Sequence, residues 1–181
     1  MKRMLPIVVG ALAVAAGAIA QSSPEIERAL AAAPAQMQKD ATVIKWKDDG
    51  TYETLKKGTN RLVCYDRSGV GGHAPFAVQC TSIANLDRVK QNREFEAIAD
   101  KNERQAKIDA AEKNGTRVKP EYGSVWFSMN GPDQEHARMH VTIAVPGATT
   151  ASTGLPDNPK QGGVWIMAAG TTTAHLMTPG H

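Results

Sequence analysis

Apolar and polar residues alternate along two stretches in the second half of the chain, and the alternation predicts two strands. The first runs from Ser124 to Met129 and the second from Ala137 to Val145, with the turn sequence Asn130-Gly131-Pro132-Asp133 between them. The apolar rows are Val125, Phe127 and Met129 in the first strand, and Met139, Val141, Ile143 and Val145 in the second. Such alternation is typical of a strand with one buried face. We therefore expect both apolar rows to lie in a core.

Shorter runs predict five further strands. Residues 41–47 and 51–56 flank Asp48-Asp49-Gly50, a hairpin turn sequence, and residues 59–65 continue as a third strand. We expect these three strands to form an antiparallel meander. Residues 163–168 and 171–177 are predicted as two more strands, after a loop over 146–161 that is rich in small residues and proline.

Helices are predicted at two places. Ser23 followed by Pro24 is typical of a helix start, and this helix is expected to end before Pro34. A second, long helix is expected over about 86–113, a stretch without Pro or Gly that carries seven charges of each sign. Its second half is predicted either to extend into solvent or to follow a break near Lys101-Asn102.

The first twenty residues have the three parts of a secretory signal peptide. Lys2 and Arg3 precede the apolar run Leu5–Ile19, and Ala18-Ile19-Ala20 offers the small residues that a signal peptidase accepts. A membrane anchor is the alternative, but a membrane span needs about 20 apolar residues and this run is shorter. We therefore expect cleavage before Gln21, a periplasmic or secreted protein, and no stable membrane insertion after cleavage.

The predicted organisation has three parts. Residues 1–20 are the signal peptide, residues 21–40 form an N-terminal helix and linker, and residues 41–181 form one α+β domain. The whole chain is 41% hydrophobic and has a net charge of +3. Loss of the leader removes two basic residues and leaves 19 basic and 18 acidic ones. Because a nearly neutral protein has little electrostatic attraction to phosphate, nucleic acid is not expected as a partner.

Cys64 and Cys80 are the only two cysteines of the chain. In an exported protein such a pair is most simply a disulfide. A reactive thiol is the alternative, but it would need a C-x-x-C spacing or a neighbouring base, and neither is visible. The predicted fold class is therefore α+β: antiparallel sheets, one long charged helix over about 86–113 inserted between two groups of strands, and one disulfide.

Four residues near the end of the chain are candidate metal ligands: His136, His140, His175 and Met177. Histidines four residues apart share a face, and imidazole with thioether suits copper. The stretch is not the zinc sequence H-E-x-x-H, because Glu135 precedes the first histidine. The alternative is that these histidines line an exposed strand face and the methionines belong to the core. No cofactor is predicted.

Trp126 is the start of a possible binding face, because it stands opposite the apolar row of its strand. In an antiparallel pair with the next strand it would lie beside polar side chains, an arrangement that suits contact with a ligand or partner. The alternative is that the long helix covers Trp126 and buries it. The predicted members of this face are Trp126, His136, Arg138, His140 and His175.

The segment around Gly58-Thr59-Asn60 and Cys64 resembles the G-T-N-x-x-x-C segment of small exported bacterial proteins of unknown function. Three later segments are similar to the same group: 146–148, 154–156 and 173–177. Many of those proteins carry Trp between the Asn and the Cys, where this chain has Arg61-Leu62-Val63. The resemblance implies a secreted or periplasmic domain, assigns no catalytic residue, and places His175 in a recurring segment.

Two functions follow as hypotheses. The first is a non-enzymatic exported domain that binds a ligand or an envelope protein. The second is a metal-dependent enzyme, or a carrier of copper or zinc, that uses the C-terminal His and Met residues. The chain contains no G-x-S-x-G and no S-x-x-K sequence. No residue is predicted to be catalytic, and the first hypothesis is preferred.

Overall fold

A computed structural model describes residues 23–178 as one eight-stranded sheet with helices on both faces. The strands are β1 Thr42–Trp46, β2 Tyr52–Lys56, β3 Leu62–Asp66, β4 Phe76–Ser82, β5 Val125–Gly131, β6 Arg138–Ala144, β7 Trp165–Met167 and β8 His175–Met177. Their order across the sheet is β2-β1-β3-β4-β5-β6-β8-β7. The predicted signal peptide over 1–20 lies outside the described residues.

The helices of this part of the chain are short. They are α1 Pro24–Leu30, α2 Ala35–Gln38, α3 Leu86–Glu96, α4 Lys101–Lys113 and α5 Thr150–Thr153, with 3₁₀ turns at Ile83–Asn85 and Pro159–Gln161. The start of α1 confirms the sequence prediction, because Pro24 is its first residue and the Ser23 side chain accepts a hydrogen bond from the N–H of Ile26.

α1 and α3 lie on opposite faces of the sheet, which we call the α1 face and the α3 face. Alternate strand residues belong to different cores: Val43 packs with Ala29 of α1, whereas its neighbour Ile44 packs with Val89 of α3. On the α3 face the fully buried Tyr65 is part of the second core, and Trp46 and Trp126 pack at its margin. The sheet is therefore covered on both sides over β1 and β3.

The expectation of a purely antiparallel sheet is wrong at one place, because β1 and β3 are parallel neighbours. After β2 the chain returns to the segment that precedes β1, where the N–H groups of Thr59 and Asn60 both donate to Asp40 O. A Cβ on Gly58 would lie 2.3 Å from that same carbonyl oxygen. The crossing requires glycine, and it delivers β3 to the far side of β1, so the three strands do not form a meander.

The predicted long helix over 86–113 is also wrong, because two helices occupy this stretch. α3 ends at Glu96 and α4 begins at Lys101. The break therefore lies over residues 97–100, just before the position near Lys101-Asn102 that the alternative prediction gave. The Asp100 carboxylate caps α4 by accepting the N–H of Glu103 at 2.8 Å. Arg104 then donates to the carbonyl oxygen of Ile98, which ties the first turn of α4 to the linker after α3. A good capping residue thus outweighs the absence of Pro and Gly.

The apolar row of β6 is more exposed than its alternation predicts. Met139, Val141 and Ile143 are 49%, 41% and 38% exposed on the α1 face, whereas Val145 is buried as expected. α1 packs over β1, β3 and β4, and the loop after β6 covers Ile166 and Leu176 at the other end of the sheet. The middle of the α1 face is left open between these two covers.

The Cys64–Cys80 disulfide is present, as the sequence predicts, and it joins directly opposed residues of β3 and β4. Both cysteines are fully buried in the core beneath α1, and Cys80 Sγ lies 3.7 Å from the carbonyl oxygen of Ala29. The bond therefore closes the glycine-containing loop between the two strands from inside the core.

The double variant Cys64→Ala/Cys80→Ala is expected to lose about 3 kcal/mol of unfolding free energy, because a loop of this length no longer restricts the unfolded chain. Urea denaturation followed by circular dichroism measures the loss. Wild-type protein in the presence of a reductant serves as the control and should show a similar decrease. An unchanged denaturation midpoint in both experiments would contradict a stabilising disulfide.

Candidate functional site

A cavity of about 150 Å³ lies on the α3 face where α3 stops covering the sheet. Its lining includes residues from four elements and one loop: Arg67, Arg88, Asn92, Trp126, Thr142 and His175. Trp126 and Thr142 are directly opposed on β5 and β6, and His175 on β8 is opposed to Ala144 of β6. The open part of the sheet thus forms the floor, and α3 forms one wall.

His175 is held in one orientation by its own strand. Its Nδ1 lies 2.7 Å from the carbonyl oxygen of Thr173, which can only accept, so Nδ1 carries the proton. Nε2 of the ring has no hydrogen-bond partner among residues 23–178. The ring therefore presents Nε2 as an unused nitrogen at the cavity.

Arg88 is the most buried charged group of the cavity, with 4% of its surface exposed. Nη1 donates to the carbonyl oxygen of Val118 and to the Thr172 hydroxyl, and Nη2 donates to the Thr173 hydroxyl at 2.8 Å. These hydroxyls donate in turn to the carboxylate of Glu112 on α4. Burial and the neighbouring positive charge of Arg117 lower the pKa of Arg88 to about 10, so the guanidinium stays charged at neutral pH.

Arg67 forms the other charged part of the wall through an ion pair with the end of α3. Arg67 Nη2 lies 2.7 Å from Glu96 Oε1, and His73 Nε2 lies 3.3 Å from Glu96 Oε2. Burial by itself raises the pKa of Glu96, but the contact with His73 and the charge of Arg67 outweigh it and hold this pKa below its ordinary value. The group ties the loop after β3 to α3.

The sheet floor of the cavity is fixed by a chain of hydrogen bonds. The Tyr65 hydroxyl donates to Gln79 Oε1 at 2.7 Å, and Gln79 Nε2 donates to the Ser128 hydroxyl at 2.8 Å. Burial raises the pKa of Tyr65, so the hydroxyl remains a donor at neutral pH. Three adjacent strands are joined across the sheet, and Gln79 has its carbonyl oxygen already engaged.

Two of the five predicted face residues come together in the cavity, namely Trp126 and His175. His140 lies on the same face of β6, opposite Ser128, one side-chain step beyond Thr142. Arg138 is a further step away, and His136 lies past the end of β6, where Nδ1 contacts the exposed Asp133 carboxylate at 2.8 Å. The predicted face is thus a row that leads away from the cavity.

The three candidate histidines are spread along this row, and Met177 lies on β8, opposite Trp165 of β7. Ala144 of β6 is the residue opposite His175, and His140 lies four residues before it on the same strand. The backbone of His140 is therefore about 13 Å along the strand from the position of His175. Over the described ranges of the chain, no group of three or more His, Cys, Asp or Glu residues is placed to hold a metal ion. Metal binding by His136, His140, His175 and Met177 stays a prediction without an assembled cluster.

Several residues of the cavity were not predicted from the sequence. Arg67 and Asn92 lie in a loop and on a charged helix, where polar residues are ordinarily solvent-facing. Arg88 precedes Val89 on the first turns of α3, and its burial depends on the turn over 172–173, more than 80 residues away. Because the contacting residues are so far apart in the chain, no local sequence pattern indicates that Arg88 is buried.

A second opening, the apolar cleft, lies on the α1 face. Its volume is about 340 Å³, and its lining includes Met37, Leu62, Tyr122, Val125 and Phe127. The charged groups at its mouth, Arg61 and Glu121, are paired with each other, and Ser82 donates to the same carboxylate. The cleft is therefore mainly apolar, in contrast to the cavity on the α3 face.

Comparisons of this chain with protein families, with curated proteins and with solved structures find no match. Within residues 23–178, no helix combines the length and apolar character that a membrane span requires.

The Glu96→Gln variant is expected to be less stable than wild type by about 1–3 kcal/mol at pH 7, because a largely buried carboxylate loses the negative charge that strengthens its contacts with Arg67 and His73. A carboxyl group with a depressed folded pKa stabilises the protein above its unfolded pKa, and this contribution disappears as the pH falls through the folded pKa. The difference between variant and wild type should therefore shrink below about pH 4.5.

Urea unfolding at pH 7 and at pH 3 measures both differences. Glu94→Gln is the control, since Glu94 is an exposed residue of the same helix and its substitution should change stability little at either pH. An equally large difference between Glu96→Gln and wild type at both values would show that the ion pair does not cause it.

Proposed function

We propose that this protein is an exported ligand-binding domain and that the cavity on the α3 face is its binding site. The observation that carries the proposal is the meeting of Trp126 and His175 with polar side chains of α3 at the point where the sheet is uncovered. An aromatic surface beside a few convergent polar groups is the usual composition of a small-molecule site.

The rigidity of the site supports binding. Hydrogen bonds fix each part of the cavity. His175 contacts the carbonyl oxygen of Thr173, Arg67 is paired with Glu96, and Gln79 joins the strands of the floor. A site that is formed before the ligand arrives does not spend binding energy on ordering its side chains. The arrangement favours recognition of a small ligand with a defined shape.

The composition of the site favours binding over catalysis. The cavity lining includes no carboxylate and no cysteine, and its hydroxyls belong to Thr142 and Thr173. Thr173 accepts from Arg88 and donates to Glu112, so it is engaged on both sides. No residue of the lining combines a nucleophile with an adjacent base, which is the arrangement that covalent catalysis needs.

Export is the other part of the proposal. It is supported by the signal-peptide pattern of the leader and by a disulfide in the core, because disulfides persist in oxidising compartments. A periplasmic or secreted domain of this kind would meet small solutes or envelope components.

The proposal is tested by NMR with the isotope-labelled protein starting at Gln21. Panels of amino acids, organic acids, sugars and nucleosides are added, and we expect at least one compound to shift the signals of Trp126, Thr142 and His175. Trp126→Leu should weaken the binding of that compound about tenfold, because the aromatic surface is lost.

Tyr122→Leu is the matched control. It removes an aromatic side chain that is exposed at the apolar cleft, and it should leave the binding unchanged. Signal changes confined to the apolar cleft, or an equal loss of affinity in both variants, would contradict the proposed site.

A further inference from the structure

We infer that the group bound in the cavity is a small oxyanion, either a carboxylate or a phosphate or sulfate group. This inference rests on the proposed function, since it assigns a ligand class to the same site. It is drawn from the hydrogen-bonding groups that the cavity residues leave unused.

The unused groups are N–H donors. Arg67 engages the protein through Nη2, with His73 and Glu96, while its Nε and Nη1 have no acceptor among residues 23–178. Asn92 uses its Oδ1 to accept from Arg117, and its Nδ2 amide group has no acceptor in the same range. Arg88 likewise uses only its two terminal nitrogens.

The acceptors of the cavity, in contrast, are mostly occupied, with Nε2 of His175 as the exception. Gln79 Oε1 accepts from Tyr65, and the Thr173 hydroxyl accepts from Arg88. The carboxylate of Glu96 behind the wall accepts from Arg67 at 2.7 Å. A ligand that satisfies the unused donors of Arg67, Asn92 and Arg88 must therefore bring acceptors, and an oxyanion brings two or more on one group.

The charge of the cavity points to the same ligand. Its lining has two guanidinium groups and no carboxylate. Glu96 balances Arg67 directly, but Arg88 reaches Glu112 only through the hydroxyls of Thr172 and Thr173. A buried cation without a contacting counter-ion attracts an anion strongly, because little water is present to screen it.

Size limits the ligand further. A cavity of about 150 Å³ is smaller than the sites of drug-sized ligands, so it accepts an anionic group with a short body. Trp126 lines the same cavity and offers an apolar surface to such a body. The head of the ligand would then contact Arg67 and Asn92, and its body would contact the indole.

The experiment titrates the labelled protein starting at Gln21, at low salt, with four probes: sodium benzoate, inorganic phosphate, sodium sulfate and benzamide. Benzamide is the neutral counterpart of benzoate. We expect at least one oxyanion to shift the Trp126 indole and Asn92 side-chain signals, and benzamide to bind at least tenfold more weakly than benzoate. Benzoate and phosphate distinguish a carboxylate ligand from a phosphate ligand, and binding of either supports the inference.

Asn92→Asp tests the charge requirement. The new carboxylate keeps an acceptor for Arg117 and places a negative charge in the lining, so oxyanion binding should weaken at least tenfold. Asn102→Asp adds the same charge on the exposed first turn of α4 and should change binding less than twofold. If Asn92→Asp does not fold, Thr142→Asp is the second variant, because it places a negative charge in the same lining from β6 of the sheet floor.

Two different failures are distinguishable. Benzamide binding as tightly as benzoate, or unchanged oxyanion binding in Asn92→Asp, would overturn the oxyanion inference while leaving the cavity as a binding site. Oxyanion shifts that map outside the cavity would overturn it as well. Absence of any shift at Trp126 and His175, with these probes and with the neutral compounds of the broader panel, would overturn both the inference and the proposed function.

Discussion

The buried guanidinium of Arg88 is the interaction on which the rest of the α3 face depends. It joins α3 to the carbonyl oxygen of Val118, before β5, and to the hydroxyls of Thr172 and Thr173, before β8. Those hydroxyls connect it to Glu112 of α4. Burying a charged group without a contacting counter-ion costs free energy. The hydrogen bonds that the Arg88 guanidinium donates offset part of that cost only if all of these acceptors stay in place. One side chain thus positions both helices and the last strand around the cavity.

The two faces of the sheet have different roles because they are covered in different ways. On the α1 face, a core rich in alanine packs around the Cys64–Cys80 disulfide, which stabilises β3 and β4. On the α3 face, the helix covers β1 and β3 and leaves β5, β6 and β8 open beside Trp126 and His175. The disulfide-bonded core on the α1 face therefore supports the part of the sheet that we propose binds a ligand.

Local signals in the sequence predict the elements well and their arrangement less well. Capping at Ser23 and the cysteine pair are local or compositional features, and the structure contains both. The parallel pairing of β1 with β3 depends on a close crossing at Gly58, which no hydrophobic period encodes. Trp126 and His175 were predicted for the binding face, but Arg88 joins them through contacts that are distant in sequence. From the sequence alone, polar residues on a charged helix are predicted to face solvent, because the residues that bury them are distant in the chain.

The most direct test of this account is amide hydrogen exchange in an Arg88→Lys variant. Lysine keeps the charge but lacks the fork of donors that reaches Val118, Thr172 and Thr173 together. Hydrogen bonds to a charged group contribute about 1.5–3 kcal/mol, so exchange at Thr172 and at neighbouring amides of β8 should accelerate about 10- to 100-fold, while amides of β3 and β4 beside the disulfide keep their protection. Unchanged exchange at Thr172, or equal acceleration throughout the sheet, would contradict the role assigned to Arg88.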